Sequence, residues 1–108
     1  MSGRILQINY KFNVSRAEHD QTVSALASDI AAVDGLRWKV WLMNEAESEA
    51  GGIYLFKDEA STNAFLEGPL VAQVVKHPVL SDFSVKQFDV SEKNTVITRG
   101  PVAEFVTA

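Results

Sequence analysis

The sequence contains no cysteine, which excludes disulfides, thiolate metal ligands and a cysteine nucleophile. Positive charge is scarce as well: 10 Lys+Arg stand against 14 Asp+Glu, for a formal charge of -4. The basic residues are scattered and form no stripe, so a nucleic-acid backbone is not an expected partner. Long apolar runs are missing, and no segment approaches the roughly 20 residues of a membrane span. The opening MSGRILQINYKF lacks the apolar core of a signal peptide. The expectation is a soluble cytoplasmic protein without a membrane partner. Histidine is also rare, with His19 and His77 the only two. No G-x-G-x-x-G follows a strand and no phosphate-binding loop motif occurs, so neither a metal nor a nucleotide cofactor is predicted.

What remains is a chain of 108 residues with 46% hydrophobic content, enough for one core and too short for two. Residues 1–108 read as a single domain. Leu6, Ile8, Tyr10 and Phe12 alternate with Gln7, Asn9 and Lys11, the period of a half-buried strand. Ser15 and Glu18 then stand at capping-box spacing, in which each side chain is expected to satisfy a backbone N–H of a helix start. Val23, Leu26, Ala27, Ile30 and Ala31 give that helix one apolar stripe, and Gly35 is placed to stop it in the left-handed conformation.

Leu36 to Asn44 reads as a second strand, with Arg37 and Lys39 on the same side as Trp41 and with Trp38 on the other. An acidic turn, Glu45 to Glu49, leads through Gly51 and Gly52 into the apolar strand Ile53 to Phe56. The glycines suit a bulge or a close backbone approach, and no helix follows them to make a phosphate site. Glu45, Glu47 and Glu49 read as a solvated loop. Asp58 is a good N-cap for a second helical region that Gly68-Pro69 should break and Pro78 should end. Phe83 to Val90 alternates again as the last strand. The order β-α-β-β-α-β predicts an α+β, ferredoxin-like antiparallel sheet with its helices on one face. Residues 91–108 form a C-terminal extension, rich in β-branched and aromatic residues, that is expected to pack on its own subunit or on a partner.

The stretch Asp34 to Phe56, DGLRWKVWLMNEAESEAGGIYLF, resembles the YdhR family of mono-oxygenases in its W-K-x-W and E-A-G-G-x-Y-L-F cores. The opening LQINYKF, the D-E-x-S of Asp58 to Ser61 and the FDV of Phe88 to Val90 are similar too. That resemblance implies a dimeric α+β barrel: two subunits pack sheet to sheet, and each keeps a pocket between its sheet and its helices. A homodimer also follows from the strands, which carry apolar groups on both faces while helices can cover only one. The family is similar to cofactor-independent enzymes that oxidise anthrone-like polyphenols. In such chemistry the substrate supplies the electrons as its own anion, and no cofactor is needed.

Lys39 and Tyr54 are the candidate catalytic residues, and Asn9 and Trp41 the candidate substrate-binding ones. A lysine beside a tryptophan in a partly dry cavity can take a proton or hold an oxyanion, because burial lowers its pKa. Otherwise it snorkels, with its ammonium in water. Tyr54 can donate its phenol to a substrate oxygen, or bond to backbone instead. Asn9 offers a donor and an acceptor; its duller role is an edge-facing polar residue. His19, beside Asp20, reads as a surface residue on the first helical turn. His77, with Asn9 and a tryptophan, would echo the set that haem-degrading members of the superfamily use, the simpler reading being a helix-end histidine. The leading expectation is a cofactor-independent mono-oxygenase acting on a small aromatic or polycyclic compound. The alternatives are a non-catalytic ligand-binding dimer, a haem-degrading mono-oxygenase, or a structural dimer whose pocket its own side chains fill.

Overall fold

The first strand, β1 (Arg4–Phe12), obeys its alternation: Leu6, Ile8, Tyr10 and Phe12 are buried, and the residues between them are half-buried. The structure, a computed structural model, describes residues 3–102. Helix α1 (Arg16–Ala31) starts where the capping pair stands. The Ser15 hydroxyl accepts from the Glu18 N–H at 3.2 Å. The Glu18 carboxylate, however, accepts from the Ser15 hydroxyl at 3.1 Å, so the pair closes on itself and does not satisfy a second backbone donor. α1 also ends before Gly35, on a right-handed cap at Ala32. Gly35, at φ 85, instead supplies the left-handed residue of the turn into β2, where a Cβ would collide with Ser61.

Strands β2 (Leu36–Asn44) and β3 (Glu49–Phe56) form the expected hairpin, joined by a short 3-10 turn, Glu45–Glu47, and a left-handed Ser48. β3 reaches back to Glu49, so both glycines lie inside it. The bulge expected there falls in β2: Leu36 pairs with Phe56, but Trp38 already pairs with Leu55. Arg37 sits in that irregularity and borders one groove with Lys39 and Trp41. Beyond it Lys39 pairs with Tyr54 and Trp41 with Gly52, which puts Lys39 and Trp41 on Tyr54's face and Trp38 on the other.

Asp58 caps α2 (Glu59–Leu66), accepting from the Ser61 N–H at 2.8 Å, and that hydrogen bond holds its carboxyl below the usual carboxylate range. Gly68 and Pro69 separate α2 from α3 (Pro69–Val75) at the predicted break, since proline suits a helix's first turn and no later one. β4 (Leu80–Asp89) begins before Phe83. Its first residues include Asp82 at φ 53 and face a register shift opposite Asn9 to Lys11, so their sequence shows no alternation.

The four strands pair antiparallel in the order β2-β3-β1-β4, the ferredoxin-like arrangement. α1, α2 and α3 cover the face that carries Leu6, Ile8, Tyr10, Tyr54 and Phe56, where the core forms. Residues after β4 cross to the other face. There α4 (Glu92–Ile97) leads to Pro101, whose carbonyl accepts from the Trp38 indole N–H at 3.1 Å. Val102 and Leu55 are buried with it. Residues 103–108, with the apolar Phe105 and Val106, lie outside the described residues. Among the described residues no helix is long and apolar enough to cross a membrane.

Candidate active site

Between the sheet and the helices lies an apolar cavity of about 50 Å³, floored by Ile8, Tyr10, Gly52 and Tyr54 and roofed by Val23, Leu26, Phe65 and Val71. Lys39 reaches into it from β2. Its Nζ lies 3.2 Å from the centroid of the Trp41 ring and 4.4 Å from that of Tyr54, so the amine is held between two aromatic faces. The side chain lies over Gly52, the residue paired with Trp41, where a Cβ would collide with the Lys39 Cε. Gly52 thus makes the room that the lysine occupies. Gly51 serves the packing of strands, since a Cβ there would strike the Ile8 carbonyl.

Burial among apolar groups lowers the Lys39 pKa to about 7, because a charged amine loses its hydration there. The ring faces act against this, favouring the ammonium by about 0.5–2 kcal/mol. Both protonation states are therefore within reach near neutrality. Burial, with a smaller contribution from Tyr10, pushes the Tyr54 phenol well above its ordinary value. Tyr54 is consequently a hydrogen-bond donor and not a base. The set offers one proton acceptor, one donor and an aromatic wall inside an otherwise apolar chamber.

Three of the four predicted site residues, Lys39, Trp41 and Tyr54, thus line one cavity. The fourth, Asn9, does not. It points to the opposite sheet face, where its amide donates to Glu49 at 3.3 Å and its oxygen accepts from Gln7 at 3.3 Å. Period-two alternation dictates this, because Ile8 and Tyr10 on either side of it face the cavity. His77 follows α3 outside the cavity, in a shallow groove with Thr22, Leu26 and Leu80, and its Nδ1 accepts from the Val79 N–H at 3.4 Å. The asparagine, tryptophan and histidine of a haem site are therefore not brought together, and these residues do not fit that group. Among the described residues no three His, Asp or Glu side chains cluster as a metal site.

His19 overturns its expectation as a surface residue. It is only 3% exposed, its ring packs 4.7 Å from that of Phe12, and its Nε2 lies 2.8 Å from the Tyr10 hydroxyl. Tyr10 itself lines the cavity, and burial, with help from the Asp20 charge, pushes its phenol up to about 12. The signal was present in the helix: His19, Val23, Leu26 and Ile30 recur at intervals of four and three, so the apolar stripe begins one turn earlier than its aliphatic members.

Trp41, 41% exposed on edge strand β2, lines the cavity, as do the exposed Val75 and Val85. Trp41 also borders a groove of about 370 Å³ beside Arg16, His19 and Met43, and a second of about 190 Å³ beside Ala27 and Leu36.

Solved structures share the architecture. SnoaB, a cofactor-independent oxygenase from Streptomyces nogalater, is 14% identical, with a TM-score of 0.70 over 85% of this chain and 96% of its own. The heme-degrader MhuD from Mycobacterium tuberculosis is 18% identical, with a TM-score of 0.63 over 81% of this chain and 95% of its own. A dimeric ferredoxin-like protein of unknown function from Thermobifida fusca is 18% identical, with a TM-score of 0.64 over 82% and 92%. No curated protein matches the chain. Residues 5–101 match the family described as "Putative mono-oxygenase ydhR", and the chain belongs to that mono-oxygenase family.

Proposed function

We propose that the protein is a cofactor-independent mono-oxygenase that oxidises a small aromatic or polycyclic compound, working as a homodimer. The observation that carries this reading is the Lys39 amine enclosed between the rings of Trp41 and Tyr54, with its pKa at about 7. A phenolic substrate packs against the rings of Trp41 and Tyr54, beside the neutral Lys39 amine. Lys39 takes the proton of a substrate oxygen and remains beside the resulting oxyanion as its counter-charge. Tyr54 donates a second hydrogen bond to that anion. The electron-rich ring then supplies electrons to dioxygen: a methylene carbon becomes a carbonyl, one oxygen atom stays on it, and the other leaves as water with the two hydrogens. The substrate provides all four electrons, so no reductant is consumed.

The apolar lining supports an aromatic ligand over a charged one, since it supplies only Lys39 to balance charge. The homodimer reading rests on the sheet face away from α1–α3. Val40, 51% exposed, and Phe88, 46% exposed, lie there beside the half-buried Ile53 and Leu42. The protein from Thermobifida fusca with this architecture is a dimer.

The test is protein-dependent oxygen uptake with anthrones, hydroquinones and flavonols, comparing wild type with Lys39→Ala and Tyr54→Phe. Uptake that falls about 100-fold or more in Lys39→Ala, and by about tenfold in Tyr54→Phe, is the expected result. Tight binding of these compounds without uptake returns the pocket to a ligand-binding module.

A further inference from the structure

Tyr10 and His19 are two polar side chains buried where two phenylalanines would pack at lower cost, and Phe12 next to them shows that the site accepts one. Their geometry fixes the protons. The His19 Nδ1 lies 3.1 Å from the Asp20 carboxylate, which can only accept, so Nδ1 carries hydrogen. Nε2 is then the acceptor for the Tyr10 hydroxyl at 2.8 Å. Asp20 is half-exposed, and Arg16 lies 3.7 Å from its other oxygen. Tyr10 borders the inner cavity, whereas His19 and Asp20 border the groove of about 370 Å³ outside it. The three residues thus form a continuous hydrogen-bonded line from the cavity to solvent.

We infer that this line is a proton relay, in which Tyr10 is a second catalytic residue that removes a carbon-bound proton from the bound aromatic. The inference rests on the mono-oxygenase reading for its substrate class. It answers a need of that chemistry: oxidation of a methylene to a carbonyl takes two hydrogens from one carbon, and Lys39, once protonated by a substrate oxygen, can accept no more. In the step, the substrate C–H bond breaks and its electron pair stays on the substrate as a carbanion conjugated with the ring. The Tyr10 oxygen gains that proton while its own hydrogen passes to the His19 Nε2. The resulting imidazolium is balanced by the Asp20 carboxylate and releases its Nδ1 hydrogen through Asp20 to the groove. The relay resets when Tyr10 gives its new hydrogen to the departing oxygen, takes back the one on Nε2, and Nδ1 is reprotonated from the groove. Tyr10 passes a proton without storing a charge, which suits a phenol whose burial disfavours the phenolate. Asp20 acts through His19 and is a positioning residue.

The experiment follows exchange of the methylene hydrogens of dithranol, an anthrone, in deuterium oxide without oxygen, by proton NMR. Wild type should accelerate exchange. Tyr10→Phe should lose about 100-fold of that acceleration, and Asp20→Asn about tenfold, with dithranol affinity from Trp fluorescence within about twofold. Asp20→Asn keeps the test open should Tyr10→Phe fail to fold, because Asp20 is at the surface and its loss leaves no buried group unpaired. A purely structural triad predicts exchange in Asp20→Asn equal to wild type, and that result overturns the relay. So does wild type that gives no acceleration, or a folded Tyr10→Phe that exchanges normally. Oxygen uptake measured in parallel separates the two readings. Tyr10-dependent exchange without uptake sustains the relay and overturns the mono-oxygenase. Uptake with Tyr10-independent exchange does the reverse.

Discussion

At the scale of the residue, Lys39 sets stability against chemistry. Its folded pKa of about 7 lies below the ordinary 10.5, so between these values the unfolded chain binds a proton that the native one does not. Its contribution therefore raises stability as pH climbs from about 7 to about 10, and falls away as pH drops through about 7. Lys39→Met should remove this slope and raise the melting temperature near neutrality while abolishing turnover. Melts of both proteins at about pH 7 and about pH 10 check it; a slope unchanged by the substitution places the charge elsewhere. Strand alternation put Lys39 and Trp41 on one side of β2 but left open which sheet face that side is, and Tyr54 stood in a continuous apolar run that marks no face. His19 was missed because a polar residue was not counted toward an apolar stripe. Asn9 was misplaced for a plain reason: the alternation that marks Ile8 and Tyr10 as core puts it on the other face.

At the scale of the element, the adjacent glycines of β3 do different work, which substitutions can separate. Gly51→Ala sets a Cβ against the Ile8 carbonyl and the Asn9 Cα, both backbone, so strand β1 itself would have to move. A loss of about 1–3 kcal/mol by denaturant unfolding is expected, in line with overpacking. Gly52→Ala meets chiefly the flexible Lys39 chain. The fold should survive, but Lys39 should leave the cavity, and its pKa should return toward the ordinary value. Titration of isotope-labelled lysine by NMR checks this: a Lys39 resonance that still titrates near about 7 in Gly52→Ala would show that the glycine does not make its room. The sequence marked both glycines as structural and could not divide them. Which neighbour faces a strand position depends on pairing register, and that register turns on the irregularity at Leu36 to Trp38 in β2, a feature with no signature in composition.

At the scale of the whole molecule, the fold was legible because its signals are local and agree: alternation, a capping serine, an N-cap aspartate and a Gly-Pro break each mark one boundary, and their order admits few topologies. The path of the last residues is a long-range matter, and only the structure shows α4 leading to Pro101 beside Trp38. That path bears on assembly. The residues after β4 cover Trp38 and Leu55 on the outer sheet face but leave Val40 and Phe88 open, and α4 adds Ile97, 66% exposed. Burying such a surface against a second copy gains about 25 cal/mol per Å² of apolar area, and a charge at its centre removes that gain. Val40→Asp is therefore expected to convert a dimer into a monomer in light scattering. Since the cavity lies on the opposite face, Lys39 and Tyr54 should keep their surroundings, and dithranol should still quench Trp fluorescence. A wild-type protein that scatters as a monomer at micromolar concentration would remove the dimer and leave the cavity argument standing. A Val40→Asp protein that remains dimeric would move the interface off this face, with the exposed Val75 and Val85 on the other side of the sheet the next surface to charge.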